Sequence, residues 1–456
     1  MNIIISGCGK IGTTLLACLL EEGHDVVAMD SSADVIGEIA NIYDVMTVCG
    51  NGADCDTLQE AGVEKTDVFI ATTGSDEANM LSCFLARKMG AKHTIARIRT
   101  PEYTDRNLSF LRQQLDLSMV INPDRLAAHE LFNILKLPAA ANVETFSQRN
   151  FEMVEVILKD NSVLDGMRLF EMRKKYDADF LVCVVQRGEE VYIPGGSFVL
   201  RAGDRIGLTA TPAEITKLMK MFGQFKKSAR SVMILGASRT AYYLSRSLLN
   251  SGTAVKIVEM DKDRCEEFSA ALDGATVIRG DGAQEELLME EGVGDMDAFV
   301  SLTGMDEENL LMSFFAASKG VGKTITKVNR EEFLPMAEKL GLECTVSPKH
   351  IVSDIVLRYM RALQNSEGSK METLYKLMDG KAEALEFNVL PDFEWTNIPL
   401  KKLKLRENAL IAGILRKRHP IIPRGDDVIL PGDKVVVLIA GESLQDLSDV
   451  IREATV

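Results

Sequence analysis

Residues 3–20 read IIISGCGKIGTTLLACLL, and their interpretation decides the fold. A β-branched run gives a buried strand, a glycine-rich turn follows, and an apolar-periodic segment opens a helix. Gly7, Cys8, Gly9, Lys10, Ile11 and Gly12 form a GxGxxG turn in the setting that gives this motif weight. Gly7 permits the tight turn, Gly9 lets backbone approach a pyrophosphate, and Gly12 lets helix pack on strand. The helix N-terminus then offers free N–H groups and a positive dipole end to phosphate.

Asp30 ends the second strand, 18 residues beyond Gly12. A carboxylate there accepts hydrogen bonds from both ribose hydroxyls and repels a 2′-phosphate. It therefore favours NAD(H) or an unphosphorylated adenosine over NADP(H). ATP and ADP carry the same free 2′-hydroxyl, so Asp30 selects a nucleotide class and not a reaction. Asn51 and the pair Thr72-Thr73 follow the third and fourth strands, at the crevice end of a doubly wound sheet. Their small polar groups suit an adenine or ribose edge, and suit turn and N-cap duty equally well. Arg97 and Arg99 share a face at the next strand end, and Arg97 is the expected phosphate contact.

The sequence is written twice. SVMILGASRTAYYLSRSLLNSGTAVKIVEMD (231–261) repeats the opening, with Gly236 standing 229 positions after Gly7. GNGADCDTLQEAGVEKTDVFIATTGSDEANML, from Gly50, returns as GDGAQEELLMEEGVGDMDAFVSLTGMDEENLL, from Gly280. Gly203-Asp204 within IPGGSFVLRAGDRI echoes Gly432-Asp433 within IPRGDDVILPGDKV. In the second copy the turn is Gly236, Ala237, Ser238, Arg239, Thr240 and Ala241, which keeps only the first glycine. Ser238 narrows the pyrophosphate approach. Glu259 aligns with Asp30, Asp281 with Asn51, Thr303 with Thr73, and Lys327 with Arg97, while Asn329 replaces Arg99. Ligand preference at this second turn is open.

Alternating strands and helices over the first 120 residues of each copy imply a parallel sheet covered on both faces. Short strands with turn signals then imply a small α+β module. The expected fold class is α/β, with two Rossmann-like doubly wound parallel-sheet domains, each followed by a small α+β domain. The expected boundaries are 1–122 with a crossover helix at 123–138, 143–225, 229–348 with a crossover helix at 349–364, and 371–456. The polar stretch GQFKKSARS (223–231) links the halves.

With 456 residues, 46% apolar and 26% charged, the chain has the composition of a soluble multi-domain protein. A net charge of −15 argues against nucleic acid as a partner. Apolar runs long enough to span a membrane are lacking, and the N-terminus enters a strand with no signal-peptide pattern. The eight cysteines form no CxxC pair, which suggests reduced thiols in a cytoplasmic protein. The five histidines show no metal spacing, so no metal is expected. ASKGVGKT (317–324) imitates a phosphate-binding P-loop, but it ends a helix and opens a strand, the reverse of what that loop requires. Nucleophile elbows and paired-acid signatures are also lacking, so no catalytic residues are expected.

The twofold order of modules, with IIISGCGKIG and Asp30, TTGSDEANML and its echo, IARIRTPEY, and the two Gly-Asp segments, resembles tandem RCK (KTN) domain proteins. These are the peripheral subunits of Trk potassium uptake systems. The resemblance covers essentially the whole chain. It implies NAD(H) or adenine-nucleotide binding by Gly7 to Ile11, Asp30, Thr73 and Arg97, with Gly236 to Thr240, Glu259 and Lys327 as the matching second set. It also implies a homo-oligomeric, tetrameric ring of RCK domains, peripheral on the inner face of the membrane, under an integral potassium-translocating subunit. The function expected is regulation of potassium uptake without catalysis. An NAD-dependent oxidoreductase with a small substrate module is the competing reading. A third is that modules around Gly195 and Gly425 bind an effector of their own. The apolar helices bearing MLSCFLA and NLL, with the 123–138 crossover, are either assembly faces or ordinary core.

Overall fold

The computed structural model describes residues 1–101, 103, 105–136, 142–146, 151–160, 162–223, 228–342, 344–366, 371–378, 380–391, 393–417, 419–441, 444 and 447–454. Most of the linker between the halves, 224–227, lies outside this set, as do the last two positions expected for the first crossover helix.

The first unit runs β1 (Asn2–Ser6), α1 (Lys10–Glu21), β2 (Asp25–Asp30), α2 (Ala33–Ile42), β3 (Met46–Cys49), α3 (Cys55–Glu60), β4 (Val68–Ala71), α4 (Asp76–Met89), β5 (His93–Arg97), α5 (Asp105–Gln114), β6 (Met119–Ile121) and α6 (Pro123–Lys136). Its six strands are parallel in the order β3-β2-β1-β4-β5-β6, so the order in which strands are added reverses between β1 and β4. In such a sheet, that reversal opens a crevice at the strand C-termini. Alternate residues of β1 point to opposite cores, Ile3 and Ile5 to one and Ile4 to the other, as a strand buried on both faces requires.

A small antiparallel sheet follows, built from β7 (Asn142–Phe146), β8 (Phe151–Ile157), β9 (Phe180–Arg187), β10 (Glu190–Tyr192) and β11 (Arg205–Ala210). It carries α7 (Leu169–Lys175) and α8 (Pro212–Met221). The second half repeats the plan. Its parallel sheet contains β12 (Ser231–Leu235), β13 (Ala254–Glu259), β14 (Ala275–Arg279), β15 (Ala298–Ser301), β16 (Lys323–Lys327) and β17 (Thr345–Val346). Its helices are α9 (Arg239–Asn250), α10 (Lys262–Ala271), α11 (Glu285–Glu290), α12 (Asp306–Ser318), α13 (Leu334–Lys339) and α14 (Pro348–Ser366). Residues 317–324 join the end of α12 to the start of β16, the opposite order from a P-loop. The last sheet contains β18 (Met371–Leu377), β19 (Ala382–Asn388), β21 (Ala409–Arg416), β22 (His419–Ile421) and β23 (Lys434–Ala440), beside a two-stranded ribbon of β20 (Leu403–Leu405) and β24 (Ile451–Ala454).

The two parallel-sheet units exchange their crossover helices. The apolar stripe of α6, with Ala128, Leu131, Ile134 and Leu135 almost fully buried, packs into the second sheet's core against Val232, Ile234, Leu244 and Leu248. In return, Val352, Val356, Leu357 and Met360 of α14 pack into the first sheet's core with Ile3, Leu15 and Leu19. Burying an aliphatic side chain contributes about 2 kcal/mol, so each exchanged helix contributes on the order of 8 kcal/mol to holding the halves together. The antiparallel modules also share a core. Met153, Cys183 and Val184 of the first meet Ala384, Ala412 and Leu438 of the second. A Cβ on Gly207 would lie 2.5 Å from Val184 Cγ1 of its own module and 3.2 Å from the Met378 methyl of the other, so this glycine leaves room for side chains of both.

The Gly-Asp echo has a structural job. Asp204 and Asp433 are almost wholly buried. Asp204 holds Arg187 in a two-pronged pair at 2.7 and 2.8 Å, and Asp433 holds Arg416 at 3.0 and 2.8 Å. Each also accepts a backbone N–H from its own turn at 2.8 Å.

Candidate functional site

Gly7 has φ +94°, and a Cβ there would lie 2.6 Å from the Thr73 nitrogen. A Cβ on Gly12 would lie 2.0 Å from the Gly7 carbonyl oxygen. Both glycines are thus required by the turn itself. Gly9 differs, because a Cβ there would meet nothing within 4 Å. Its bareness serves no internal packing and leaves open space over the loop. No side chain caps α1, and its first turn carries no acid, so the N–H groups at this helix start face that space.

Asp30 fastens the loop. Its carboxylate accepts the Cys8 N–H at 2.7 Å and the Ser32 N–H at 2.9 Å. Glu259 does the same for Ala237 at 2.7 Å and Asp261 at 2.9 Å. Glu259 is therefore the structural counterpart of Asp30, while Asp261 caps α10 by accepting from Arg264. Burial, with Asp30 adding to it, pushes the Cys8 thiol up to about 12. Cys8 is a core thiol that donates to the Met29 carbonyl at 3.5 Å.

The two turns look into one cavity of about 1080 Å³ between the halves. Gly9, Lys10, Ile11, Thr72 and Arg97 line it from one side, and Ala237, Ser238, Arg239, Thr240 and Lys327 from the other. Seven basic and two acidic side chains form its wall, in a chain whose net charge is −15. Such a local excess of positive charge suits an anion. Arg97 bonds the Thr73 carbonyl, and its buried Nε has no partner among the described residues. Burial, then Arg99, depresses the Arg97 pKa. Burial also pushes the Lys327 ammonium below its ordinary value; Asp124 and Asp306 oppose this, while Lys10 and Arg99 add to it. Among the described residues, Lys327 Nζ donates to the Leu302 carbonyl at 3.4 Å. Nearby carboxylates offset the burial of these two cations only in part, and a phosphate would add counter-charge, so these residues fit a phosphate-bearing cofactor.

Other residues singled out in the sequence make hydrogen bonds that hold the turns and strand ends in shape. Thr73 donates its N–H and hydroxyl to Asn79, at 2.8 and 2.6 Å, and Thr303 does likewise to Asn309, both at 2.9 Å. Asn51 and Asp281 accept the N–H two residues on, at 3.0 Å each, so both serve as turn caps. Thr72 bonds the Gly7 carbonyl at 2.6 Å.

Several structural and wall residues escaped the sequence reading. Asn79 and Asn309 are wholly buried, and their amides also donate to the carbonyls of Arg97 and Lys327. Asp76 accepts the N–H groups of Arg99 and Thr100, and Asp306 those of Asn329 and Arg330. The repeated DEAN and DEEN was their signal. Arg264, Lys349 and Asp124 reach the cavity from α10, α14 and α6 and had no local signal. Asp124 pairs with Arg99 at 2.9 Å.

Among the described residues, no helix is long and apolar enough to cross a membrane, and no group of three or more His, Cys, Asp or Glu could hold a metal ion. The sequence matches the TrkA-N domain family over residues 3–123 and 232–348, and the TrkA-C domain family over 153–223 and 384–452. It is 31% identical over 452 residues to a "Trk system potassium uptake protein TrkA homolog" of Archaeoglobus fulgidus, covering 99% of this chain and 100% of that one. It is 28% identical over 444 residues to "Trk system potassium uptake protein TrkA" of Halomonas elongata, covering 96% of each. Among solved structures, the fold resembles the "GsuK RCK domain", with TM-score 0.64, 16% identity, and coverage of 96% of this chain and 92% of that one. It also resembles the "GsuK channel bound to NAD", with TM-score 0.64, 16% identity, and coverage of 96% and 77%.

Proposed function

This chain belongs to the TrkA family of paired TrkA-N and TrkA-C domains, and on that premise we propose that it is the nucleotide-responsive regulatory subunit of a Trk-type potassium uptake system. The observation that carries the reading is the cationic cavity between the halves, into which both glycine turns open. NAD(H), or ATP or ADP, binds by laying its phosphates on the N–H groups after Gly9 and its ribose toward Asp30, with Arg97 as counter-ion. Gly7, Cys8, Lys10, Ile11 and Gly12 shape that seat, and Thr72 and Thr73 brace it. A solved structure of similar fold carries NAD, which supports the choice of ligand class.

Because the cavity is bounded by two halves, a ligand that fits one spacing of the halves better than another shifts their equilibrium by its differential affinity. The chain transmits this shift to a membrane potassium-translocating subunit as part of a homo-oligomeric, tetrameric ring on the inner membrane face. Leu81 on α4, and Leu311 and Phe314 on α12, are exposed apolar residues suited to contacts between copies. Regulation by occupancy needs no catalytic group, and the chain is not an enzyme.

The test is potassium-analogue flux in vesicles containing the membrane subunit and this chain, titrated with NADH, NAD, ATP and ADP. Flux is expected to respond to at least one nucleotide, and Asp30→Ala is expected to abolish both response and binding. Specific turnover of a keto or imino acid with NADH would instead make the protein an oxidoreductase.

A further inference from the structure

The pseudo-twofold relation between the turns is broken at the cavity's centre. Asp124, second residue of α6, crosses from the first half to the second turn. Its Oδ1 accepts the Thr240 hydroxyl at 3.1 Å, in the first turn of α9, and its Oδ2 accepts Arg99 Nε at 2.9 Å. Only 9% of Asp124 is exposed. Ser238 adds a second internal plug, because its side chain accepts the Ala241 N–H and caps α9. At the first turn the corresponding positions are Ile11, which has no hydroxyl, Gly9, which has no side chain, and Lys349, a cation in place of Asp124.

We propose that Asp124 is a built-in anion for the second glycine turn, so that the cavity takes one phosphate-bearing nucleotide per chain, seated on the first turn. This rests on the nucleotide reading of the first turn given above. A carboxylate at a helix N-terminus uses the positive dipole end and the N–H directions that a phosphate would use. A phosphate entering beside Asp124 meets a like charge at short range in a partly desolvated site and must also break the Arg99 pair. The resulting discrimination against the second turn is on the order of a hundredfold or more. At the first turn the sign is reversed, since Lys349 and Lys10 both attract the ligand.

The experiment is calorimetric titration of the full chain with NADH and, separately, ATP. Wild type is expected to bind one nucleotide per chain. Asp124→Asn keeps size and hydrogen bonding but removes the charge; it is expected to add a second binding event, which Glu259→Ala then removes. A second measurement needs no variant: photo-crosslinking wild type with an azido-adenine nucleotide, then mapping labelled peptides. Label confined to the first half is expected. Two equal events in wild type, label on peptides flanking Gly236 or Glu259, or an Asp124→Asn chain that folds yet still binds one nucleotide would overturn the inference alone. No binding of either nucleotide by wild type would overturn the nucleotide reading and this inference with it.

Discussion

Arg361 and Glu22 stand 339 positions apart in sequence and form a two-pronged ion pair, with Arg361 Nε donating to Glu22 at 3.0 Å. Arg361 lies on α14 of the second half and Glu22 caps the end of α1 in the first. Both side chains are at least four-fifths buried, so the pair is shielded from salt and clasps the helix exchange.

Arg361→Ala is therefore expected to cost about 2–3 kcal/mol, mostly because it leaves the Glu22 carboxylate poorly solvated and unpaired. The Glu22→Ala, Arg361→Ala double mutant should lose less than the sum of the singles, with a coupling of about 1–2 kcal/mol. Denaturant unfolding of the four proteins measures this. Full additivity would show that the pair contributes nothing to the clasp.

Leu131 belongs to the first half but sits wholly buried in the second sheet's core. Leu131→Ala should cost about 3 kcal/mol through the cavity it leaves. The added hydrogen exchange should appear in β12 and α9 before it appears in β1. Faster exchange confined to the first sheet would contradict the exchanged packing.

Residues 1–228 produced alone would carry α6 with its stripe uncovered and a first-sheet core lacking α14. Such a fragment is expected to form a homodimer in which two α6 helices exchange, because the exposed apolar area has no other partner within the fragment. Light scattering after gel filtration decides this, and a stable monomer would disprove it.

Burial holds Lys327 below its ordinary value, and a phosphate on the first turn, whose Lys10 already acts on Lys327 across the shared cavity, would restore it. The free protein then loses this proton at lower pH than the complex does. Nucleotide affinity should be highest below the free-protein value and decline as pH rises through it, with proton uptake on binding over that interval. Titrations in two buffers of different ionisation heat measure the uptake. Lys327→Arg keeps the charge and should abolish the pH dependence, and zero uptake in wild type would remove Lys327 from the site.

Glu130 lies on α6 with Asp354 and Arg358 of α14 beside it. Burial, then Asp354, raises its carboxyl from 4.5 to about 7, with Arg358 pulling the other way. The folded chain thus holds a proton that the unfolded chain releases. The stability this gives is complete below the unfolded value and is lost as pH rises through the folded one. Glu130→Gln should flatten the profile, gaining about 3 kcal/mol near about pH 8 and nothing near about pH 4. Thermal unfolding across that range checks it, and parallel profiles for the two proteins would refute it.

The sequence alone determined the parts whose signals are local. A glycine turn between a β-branched run and an apolar-periodic segment can close only one way, because Gly7 and Gly12 sit where any Cβ would strike backbone. The 229-residue echo likewise aligned Glu259 with Asp30, and each carboxylate accepts a backbone N–H of its own turn at 2.7 Å. Asn51 and Asp281 were legible as polar residues at strand ends, but composition could not separate ligand contact from turn capping. The tertiary structure decided what each apolar stripe covers and what faces each turn. The stripe of α6 is satisfied by any apolar surface of matching width, so periodicity fixes its helix and its buried face but not its partner sheet. Asp124 and Lys349 reach the cavity only because the helices bearing them cross to the opposite half. A charge's neighbours across more than 100 residues of chain follow from packing, which no local pattern encodes.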